Sequence, residues 1–395
     1  MLKALLAAFA LAATAISATA SRPALWTSCG RSGDLAPAWS PNGRAVAFTH
    51  VHSSGAVSQV FRIGRDGHGL KRISSRVTEF AYDPVWSPDG ASLAYTSFDD
   101  AAVVRIVVAR ADGARAHVVA AFQGERNPPT TFVTWSPDGS QLAYVDFAGE
   151  LVSVETSGGG APHVLAHGAT QPAWSPSGGR IAYVGLSGIV VASADGASPH
   201  TIADGAYPRW SPDGRSLAYT SRSGVGVHVI SSDGGDDRLV DASGTIASWF
   251  RDGRRLVDAT AADGARHSVI HVVDVVYRRP VTVSNDSSRL LGSDDAAPIV
   301  APNGRDILFV SARSLGDYDS ELRLVEANGR RERRLTYHCV VVDGGSGSRV
   351  YGTSLDDVIL ARNRLDDTIL CGPGRDRVIA DPRDRVSAAC ETVRR

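Results

Sequence analysis

The residues with the clearest capacity for chemistry are the histidines, of which the chain has eleven in 395 residues. Imidazole nitrogens bind transition metals and exchange protons near neutral pH. None forms a His-x-x-x-His pair on a predicted helix, and no cysteine–histidine zinc pattern occurs. His50 and His52 fall on one face of a predicted strand. Neither a phosphate-binding loop nor a dinucleotide fingerprint is present, because the glycine-rich stretches lie between predicted strands.

The four cysteines are the second set with defined chemistry. Cys29 lies near the N-terminus, and Cys339, Cys371 and Cys390 lie near the C-terminus. Four cysteines allow three pairings. We predict one disulfide between Cys371 and Cys390, and a second between Cys29 and Cys339 that joins the two ends of the intervening region. The alternative is that Cys29 or Cys339 stays unpaired.

The first 20 residues have the features of a secretory signal peptide. Lys3 supplies the positive charge, residues 4–16 are an apolar run, and an Ala-Thr-Ala site ends at Ala20. No later segment has 18 uninterrupted apolar residues, so we expect no transmembrane segment. The mature protein is expected to be secreted or to lie in the cell envelope, where disulfides form. A net charge of −1 argues against a nucleic-acid partner.

The chain between residues 39 and 309 contains a motif that recurs seven times. It consists of a tryptophan, a Ser-Pro-Asp-Gly turn and a short apolar strand, and copies follow one another at roughly 36 to 51 residues. The tryptophan position is occupied by Trp39, Trp86, Trp135, Trp174, Trp210, Trp249 and Val300. This spacing is the length of one four-stranded propeller blade. We therefore predict an all-β fold, a seven-bladed β-propeller over residues 21–338.

The predicted blades begin near residues 36, 83, 132, 171, 207, 246 and 297. Six blades is the alternative if the weak copy at 297–336 is not a blade. In each turn, proline has the φ required at the second position and glycine accepts a positive φ at the fourth. We expect the tryptophans to pack between adjacent blades, where each would contribute roughly 5 kcal/mol. Packing is favoured over ligand stacking because the ring always precedes a turn.

Residues 83–95, Asp-Pro-Val-Trp-Ser-Pro-Asp-Gly-Ala-Ser-Leu-Ala-Tyr, resemble the TolB-type propeller repeat, and this resemblance extends over about three quarters of the chain. TolB carries an additional α/β domain before its propeller and binds protein partners through the propeller channel. About 15 residues separate the predicted signal peptide from the first blade, so that domain is not expected here. Prolyl-oligopeptidase-like peptidases share the repeat but need an α/β-hydrolase domain with a Gly-x-Ser-x-Gly motif. About 55 residues follow the last blade and lack this motif, so a peptidase is not expected.

Propellers usually bind ligands at one mouth of the channel, where the loops enter the inner strands. The residues that we predict to bind a partner there are Tyr82, Asp83, Arg126, Gln171, Tyr207, Arg209, Asp294 and Asp295. Aromatic and arginine side chains are common anchors at protein interfaces. The alternative for each residue is a solvated loop position.

The tail, residues 339–395, has a different period. An aspartate followed two residues later by an aliphatic residue recurs at Asp357, Asp367, Asp376 and Asp384. This pattern resembles the nonapeptide of calcium-binding parallel β-rolls, which implies that these aspartates are metal ligands. Only Gly372 and Gly374 keep the paired glycine spacing, and neighbouring arginines offer the aspartates another partner. The tail is therefore either a calcium-binding roll or a disulfide-stapled structural roll.

Two functions remain from the sequence. The first is a secreted, non-enzymatic, monomeric propeller that binds a protein or peptide, with calcium in the tail as its one candidate cofactor. The second is a polysaccharide-active enzyme, since some lyases with this repeat hold a divalent metal with channel histidines. The lyase hypothesis requires several histidines from different blades to lie close together around the metal. We expect His167, His200, His228 and His271 in unlike positions of their blades.

Overall fold

The computed structural model describes residues 33–51, 58–74, 80–99, 101–124, 132–261, 268–284, 294–312, 320–336, 340–342, 349–351, 358–361, 366–371 and 376–395. The regular elements in these ranges are all β-strands, as the sequence predicts. Within the same ranges no helical segment has the length and apolarity needed to cross a membrane.

Up to residue 334, the described strands form seven antiparallel four-stranded units with their strands in chain order. Unit 1 contains β1 (Gly33–Trp39), β2 (Ala45–Val51), β3 (Ser58–Gly64) and β4 (Lys71–Arg72). Unit 2 contains β5 (Phe80–Trp86), β6 (Ser92–Phe98), β7 (Val103–Arg110) and β8 (His117–Gln123). Unit 3 contains β9 (Thr134–Trp135), β10 (Gln141–Val145), β11 (Leu151–Glu155) and β12 (His163–Ala166).

The remaining four-stranded units follow the same order. Unit 4 contains β13 (Thr170–Trp174), β14 (Arg180–Gly185), β15 (Gly188–Ser193) and β16 (His200–Ala203). Unit 5 contains β17 (Gly205–Trp210), β18 (Ser216–Ser221), β19 (Val227–Ser231) and β20 (Arg238–Asp241). Unit 6 contains β21 (Ser248–Trp249), β22 (Arg255–Ala261), β23 (Ser268–Asp274) and β24 (Pro280–Thr282). Unit 7 contains β25 (Asp294–Val300), β26 (Asp306–Ala312), β27 (Ser320–Glu326) and β28 (Arg333–Arg334).

The Ser-Pro-Asp-Gly sequence forms the predicted tight turn between the first two strands of a unit. In unit 2 the hydroxyl of Ser87 donates to Asp89 Oδ1 at 2.6 Å, and the backbone N–H of Ser92 donates back to Ser87 Oγ at 2.9 Å. Gly90 has φ +71°, and a Cβ there would lie 3.4 Å from the ring of Pro41 in unit 1. Glycine therefore serves both the turn and its packing on the preceding turn.

Neighbouring units share apolar cores. Phe48 and Phe61 of unit 1 lie in one buried cluster with Leu308 and Leu322 of unit 7, and similar clusters join units 1 to 7 in order. Gly33 of β1 also pairs with Ser320 of β27. The first and last units are therefore in direct contact.

Each motif tryptophan packs against the core shared with the preceding unit, as expected. Four of the indole N–H groups also donate to the backbone carbonyl next to the preceding motif position. These bonds join Trp86 to Ala38 (3.0 Å), Trp135 to Val85 (3.1 Å), Trp210 to Ala173 (2.9 Å) and Trp249 to Arg209 (2.9 Å). The indole thus adds a directional bond to apolar burial.

The tail forms two parallel sheets. One contains β29 (Val340–Val342), β31 (Val358–Ala361), β33 (Arg377–Ala380) and β35 (Thr392–Arg394), and the other contains β30 (Arg349–Tyr351), β32 (Thr368–Leu370) and β34 (Arg385–Val386). Successive strands alternate between the sheets, so the chain winds through both. The aliphatic residues of the repeat, among them Ile359, Ile369 and Val378, are buried together.

Candidate functional site

Six of the units have an unusual backbone just before the tryptophan position of the first strand. Three residues before the tryptophan position, non-glycine residues adopt a left-handed conformation: Ala36 (φ 47°), Asp83 (φ 54°), Phe132 (φ 45°), Gln171 (φ 53°), Tyr207 (φ 56°) and Ala297 (φ 49°). In five units the pairing of the first strand with the second shifts register at this point. Such a conformation costs about 1–3 kcal/mol per residue. Its recurrence at one position marks this part of the first strands as specialised.

The first strands line the centre of the assembly. Consecutive first strands contact one another from β1 through β25, and β25 contacts β1. In a radial arrangement of blades these strands surround the central channel. Two contacts tie the left-handed residues to the preceding unit: the N–H of Asp83 donates to Thr49 Oγ1 at 3.0 Å, and that of Tyr207 donates to Gln171 Oε1 at 2.5 Å.

Two predicted partner-binding residues of unit 2 lie in a desolvating environment. Burial raises the pKa of the Asp83 carboxyl to about 6. Burial, with the charge of Asp83, also raises the pKa of the Tyr82 phenol. The Tyr82 hydroxyl is buried and has no hydrogen-bond partner in the part of the chain that the structure describes, and its ring packs edge-on against Phe98 at 5.9 Å. The Tyr82 hydroxyl and the Asp83 carboxyl can therefore form hydrogen bonds with a bound partner.

The predicted residues of units 4 and 5 lie close together. Gln171 bonds to the backbone of Tyr207, and Arg209 follows two residues later on β17. Arg209 is exposed, yet desolvation lowers the pKa of its guanidinium, with the Tyr207 phenol acting in the opposite direction. A side chain that is open to water and still crowded by protein is expected in a narrow channel.

Asp294 and Asp295 begin β25 of unit 7, where their backbones pair with Ala312 and Ser311. Arg126 lies outside the described residues.

An Asp83→Asn variant is expected to lose part of the pH dependence of the wild-type free energy of unfolding. The Asp83 pKa lies near 6 in the folded protein and near 3.8 in the unfolded chain, so the folded state holds the extra proton between these values. The resulting stabilisation is present below about pH 4 and is lost as pH rises through 6. Wild type should therefore lose on the order of 2 kcal/mol relative to the variant between pH 4 and 7.5.

Urea unfolding of both proteins across this range measures the effect. Asp204→Asn at an exposed aspartate is the control. A difference between wild type and Asp83→Asn that stays constant with pH would contradict the prediction.

Backbone hydrogen bonds to the Asp384 and Glu391 carboxylates connect the tail. Asp367, Asp376 and Asp384 are buried, with Asp384 Oδ1 accepting the N–H of Asp367 at 3.0 Å. Glu391 Oε2 accepts the N–H of Asp376 at 2.6 Å, so each of these bonds joins one turn of the tail to the next. Asp357 lies outside the described residues. Calcium binding by these carboxylates stays a prediction.

The predicted disulfide between Cys371 and Cys390 is present, with Cα atoms 5.3 Å apart. It joins the end of β32 to the segment before β35. The predicted partners Cys29 and Cys339 both lie outside the described residues.

The histidines differ from the expectation in one respect. His228 pairs across strands with Tyr219, and His271 pairs with Asp258 in the same register, so these two histidines occupy equivalent positions of units 5 and 6. The expectation of unlike positions is wrong for this pair, because the altered motif of unit 6 hides its alignment. His50 is buried and its Nδ1 lies 2.7 Å from Asp34 Oδ1. His52 lies outside the described residues.

A group that the sequence reasoning missed lies between units 5 and 6. Among the described residues, one cluster offers three potential metal ligands, and it contains a single histidine: Asp241, Asp258 and His271. Burial, followed by the charge of Asp241, raises the pKa of Asp258 to about 7, while His271 opposes the shift. The available signal was the repeat itself, since Asp258 stands where the other copies have an aromatic residue.

Known structures share the fold. A puromycin-hydrolyzing peptidase from Mycobacterium tuberculosis has a TM-score of 0.59 at 17% identity, covering 77% of this chain and 53% of that one. An oligogalacturonate lyase from Vibrio parahaemolyticus has a TM-score of 0.56 at 12% identity, covering 73% and 88%. The β-propeller domain of the Trilobed protease from Pyrococcus furiosus has a TM-score of 0.56 at 11% identity, covering 78% and 97%.

At these identities the likeness establishes a β-propeller and carries no activity across. No curated protein sequence matches the chain. The family described as the TolB beta propeller domain matches residues 100–344. Because this match extends over more than half of the chain and agrees with the observed fold, the protein belongs to the TolB beta propeller domain family.

Proposed function

We propose that this protein is a secreted or cell-envelope propeller without catalytic activity that binds a protein or peptide at its channel mouth. The observation that carries the proposal is the set of left-handed, non-glycine residues three positions before the tryptophan position of the first strands, which includes Asp83, Gln171 and Tyr207. Strained backbone recurs at ligand-binding positions because it directs side chains that an extended strand would place elsewhere.

The chemistry of these residues suits a peptide. Tyr207 and Arg209 belong to the residue types that most often anchor protein interfaces. Gln171 and Tyr82 supply amide and hydroxyl groups, and Asp83 supplies a carboxyl whose raised pKa favours a hydrogen-bonding role at mildly acidic pH. An extended peptide offers amide groups at regular intervals, which such a mixture of donors and acceptors can bind.

We further infer that the ring has seven blades. Seven four-stranded units, seven shared cores and the contact of unit 1 with unit 7 in the described residues support this count over six. The predicted weak blade, residues 297–336, corresponds to unit 7. This unit has four strands and shares a buried apolar core with unit 6. In this proposal residues 339–395 form an accessory roll.

An extracytoplasmic location is supported by two observations. One is the disulfide between Cys371 and Cys390, since structural disulfides form mainly in oxidising compartments. The other is membership of the TolB beta propeller domain family, since TolB, which the repeat resembles, is a periplasmic protein. The signal peptide over residues 1–20 and its cleavage after Ala20 remain part of the proposal.

Substitution at the channel mouth tests the proposal. Peptides selected on the immobilised protein from a random phage-displayed library should bind Tyr207→Ala and Arg209→Ala at least tenfold more weakly than wild type, because anchor residues contribute about 1.4 kcal/mol or more. Fluorescence anisotropy with the synthetic peptides gives the dissociation constants.

Matched controls are available on the turn after β23. Tyr277 and Arg279 are exposed there, so Tyr277→Ala and Arg279→Ala should leave the dissociation constant unchanged. Selected peptides that bind all four variants equally well would overturn the proposed site.

A further inference from the structure

Asp258 interrupts the repeat at a core position. The residue two after the partner of the motif tryptophan on the second strand is aromatic in six units: Phe48, Tyr95, Tyr144, Tyr183, Tyr219 and Phe309. In unit 6, Trp249 pairs with Leu256, which places Asp258 at this position. It is fully buried, and neither of its carboxylate oxygens has a hydrogen-bond partner among the described residues. An isolated buried carboxylate costs several kcal/mol, so its retention calls for a compensating group.

Two further ligand-type side chains face Asp258. His271 is its cross-strand partner on β23, and Asp241 ends β20 of the preceding unit. Asp241 Oδ2 lies 3.2 Å from His271 Nδ1, and one donor atom from each of the three residues lies within 4.8 Å of the others. Asp241 Oδ1 accepts the N–H groups of Ser243 and Gly244. That carboxylate is therefore held in place by its own loop.

The loop over Asp258 has no space for a side chain. A Cβ on Gly244 would lie 2.5 Å from Asp258 Oδ2 and 2.9 Å from Val227 Cγ2. Gly244 also forms a bridge with Thr260 of β22. Glycine is required at this position because the backbone passes directly over the Asp258 carboxylate, which is shielded from bulk water.

We propose that Asp241, Asp258 and His271 bind one divalent transition-metal ion, with Zn²⁺ as the best match. A +2 ion balances the two buried carboxylates, and the imidazole nitrogen favours a transition metal over Ca²⁺ or Mg²⁺. Tetrahedral zinc with ligands near 2.0–2.1 Å places donor atoms about 3.4 Å apart. The Asp241–His271 pair already has a similar spacing of 3.2 Å, and the donor atoms of all three residues lie within 4.8 Å of one another. The ion would join units 5 and 6 and is independent of the partner-binding proposal.

Metal stoichiometry tests the site on the untagged mature protein. After EDTA treatment and desalting, wild type incubated with ZnCl₂ should retain one more zinc per chain than Asp258→Tyr, measured by elemental mass spectrometry. Asp258→Tyr restores the residue type of the other units and so is expected to fold. Asp258→Asn should weaken zinc binding at least tenfold by calorimetry, because an amide is a poorer ligand than a carboxylate.

His228→Ala is the matched control, since His228 holds the position equivalent to His271 in unit 5. It should keep the wild-type zinc content, whereas His271→Ala should lose one zinc. Equal zinc content in wild type and Asp258→Tyr, or the same loss in His228→Ala and His271→Ala, would overturn the proposal.

Discussion

Phe48→Ala is expected to lower the free energy of unfolding by about 3–5 kcal/mol, because it opens a cavity where the first and last units meet. Phe48 is fully buried and lies in one cluster with Leu308, Leu322 and Leu324 of unit 7. Its ring stacks on Phe61 with centroids 6.0 Å apart. The loss therefore includes contacts within unit 1 and across the ring closure.

Denaturant unfolding of the wild type and variant measures the effect. Phe147→Ala is the matched control, since this phenylalanine is 41% exposed, and it should change stability by less than about 0.5 kcal/mol. Leu308→Ala on the opposite side of the interface completes a double-mutant cycle. A coupling of about 0.5 kcal/mol or more is expected for residues that share one core. Strictly additive effects would contradict closure between units 1 and 7.

Replacing Cys371 and Cys390 together with serine is expected to destabilise the tail by about 2–4 kcal/mol. The disulfide closes a segment with a sequence separation of 19 and restricts the unfolded chain accordingly. The small tail core, which includes Ile359, Ile369 and Val378, has little other stabilisation to offset the loss.

Limited proteolysis followed by mass spectrometry locates this effect. Cleavage in residues 339–395 should become at least tenfold faster in the double variant, while the seven units remain resistant. Ser387→Ala, close to the bridge and half-buried, is the control and should cleave at the wild-type rate. Equal cleavage rates in the double variant and wild type would contradict a stabilising role.

The repeat made most of the fold predictable. A tryptophan before Ser-Pro-Asp-Gly specifies a local turn through proline and glycine backbone preferences, and these act within a few residues. The all-β propeller follows from that local signal repeated along the chain. The pairing of Cys371 with Cys390 was predictable for a similar reason, since both lie in one short segment of distinct period.

The site residues were predictable in part. Their position before the motif predicts Gln171 and Tyr207 at the channel mouth, and the structure adds that the Gln171 side chain accepts a hydrogen bond from the Tyr207 backbone. The left-handed backbone at these positions had no sequence signal of its own, because such a φ is typical of glycine and here occurs at glutamine and tyrosine.

The sequence by itself determined the repeat, its turns and the all-β class, since all three follow from local backbone preferences and strand periodicity. Only the tertiary structure decided which residues from different units meet. Asp241 and Asp258 are 17 residues apart and belong to different units, and their meeting with His271 depends on how β20 packs against β22 and β23. Local preferences carry no information about that packing, because it depends on the relative placement of two units that the chain joins through a loop.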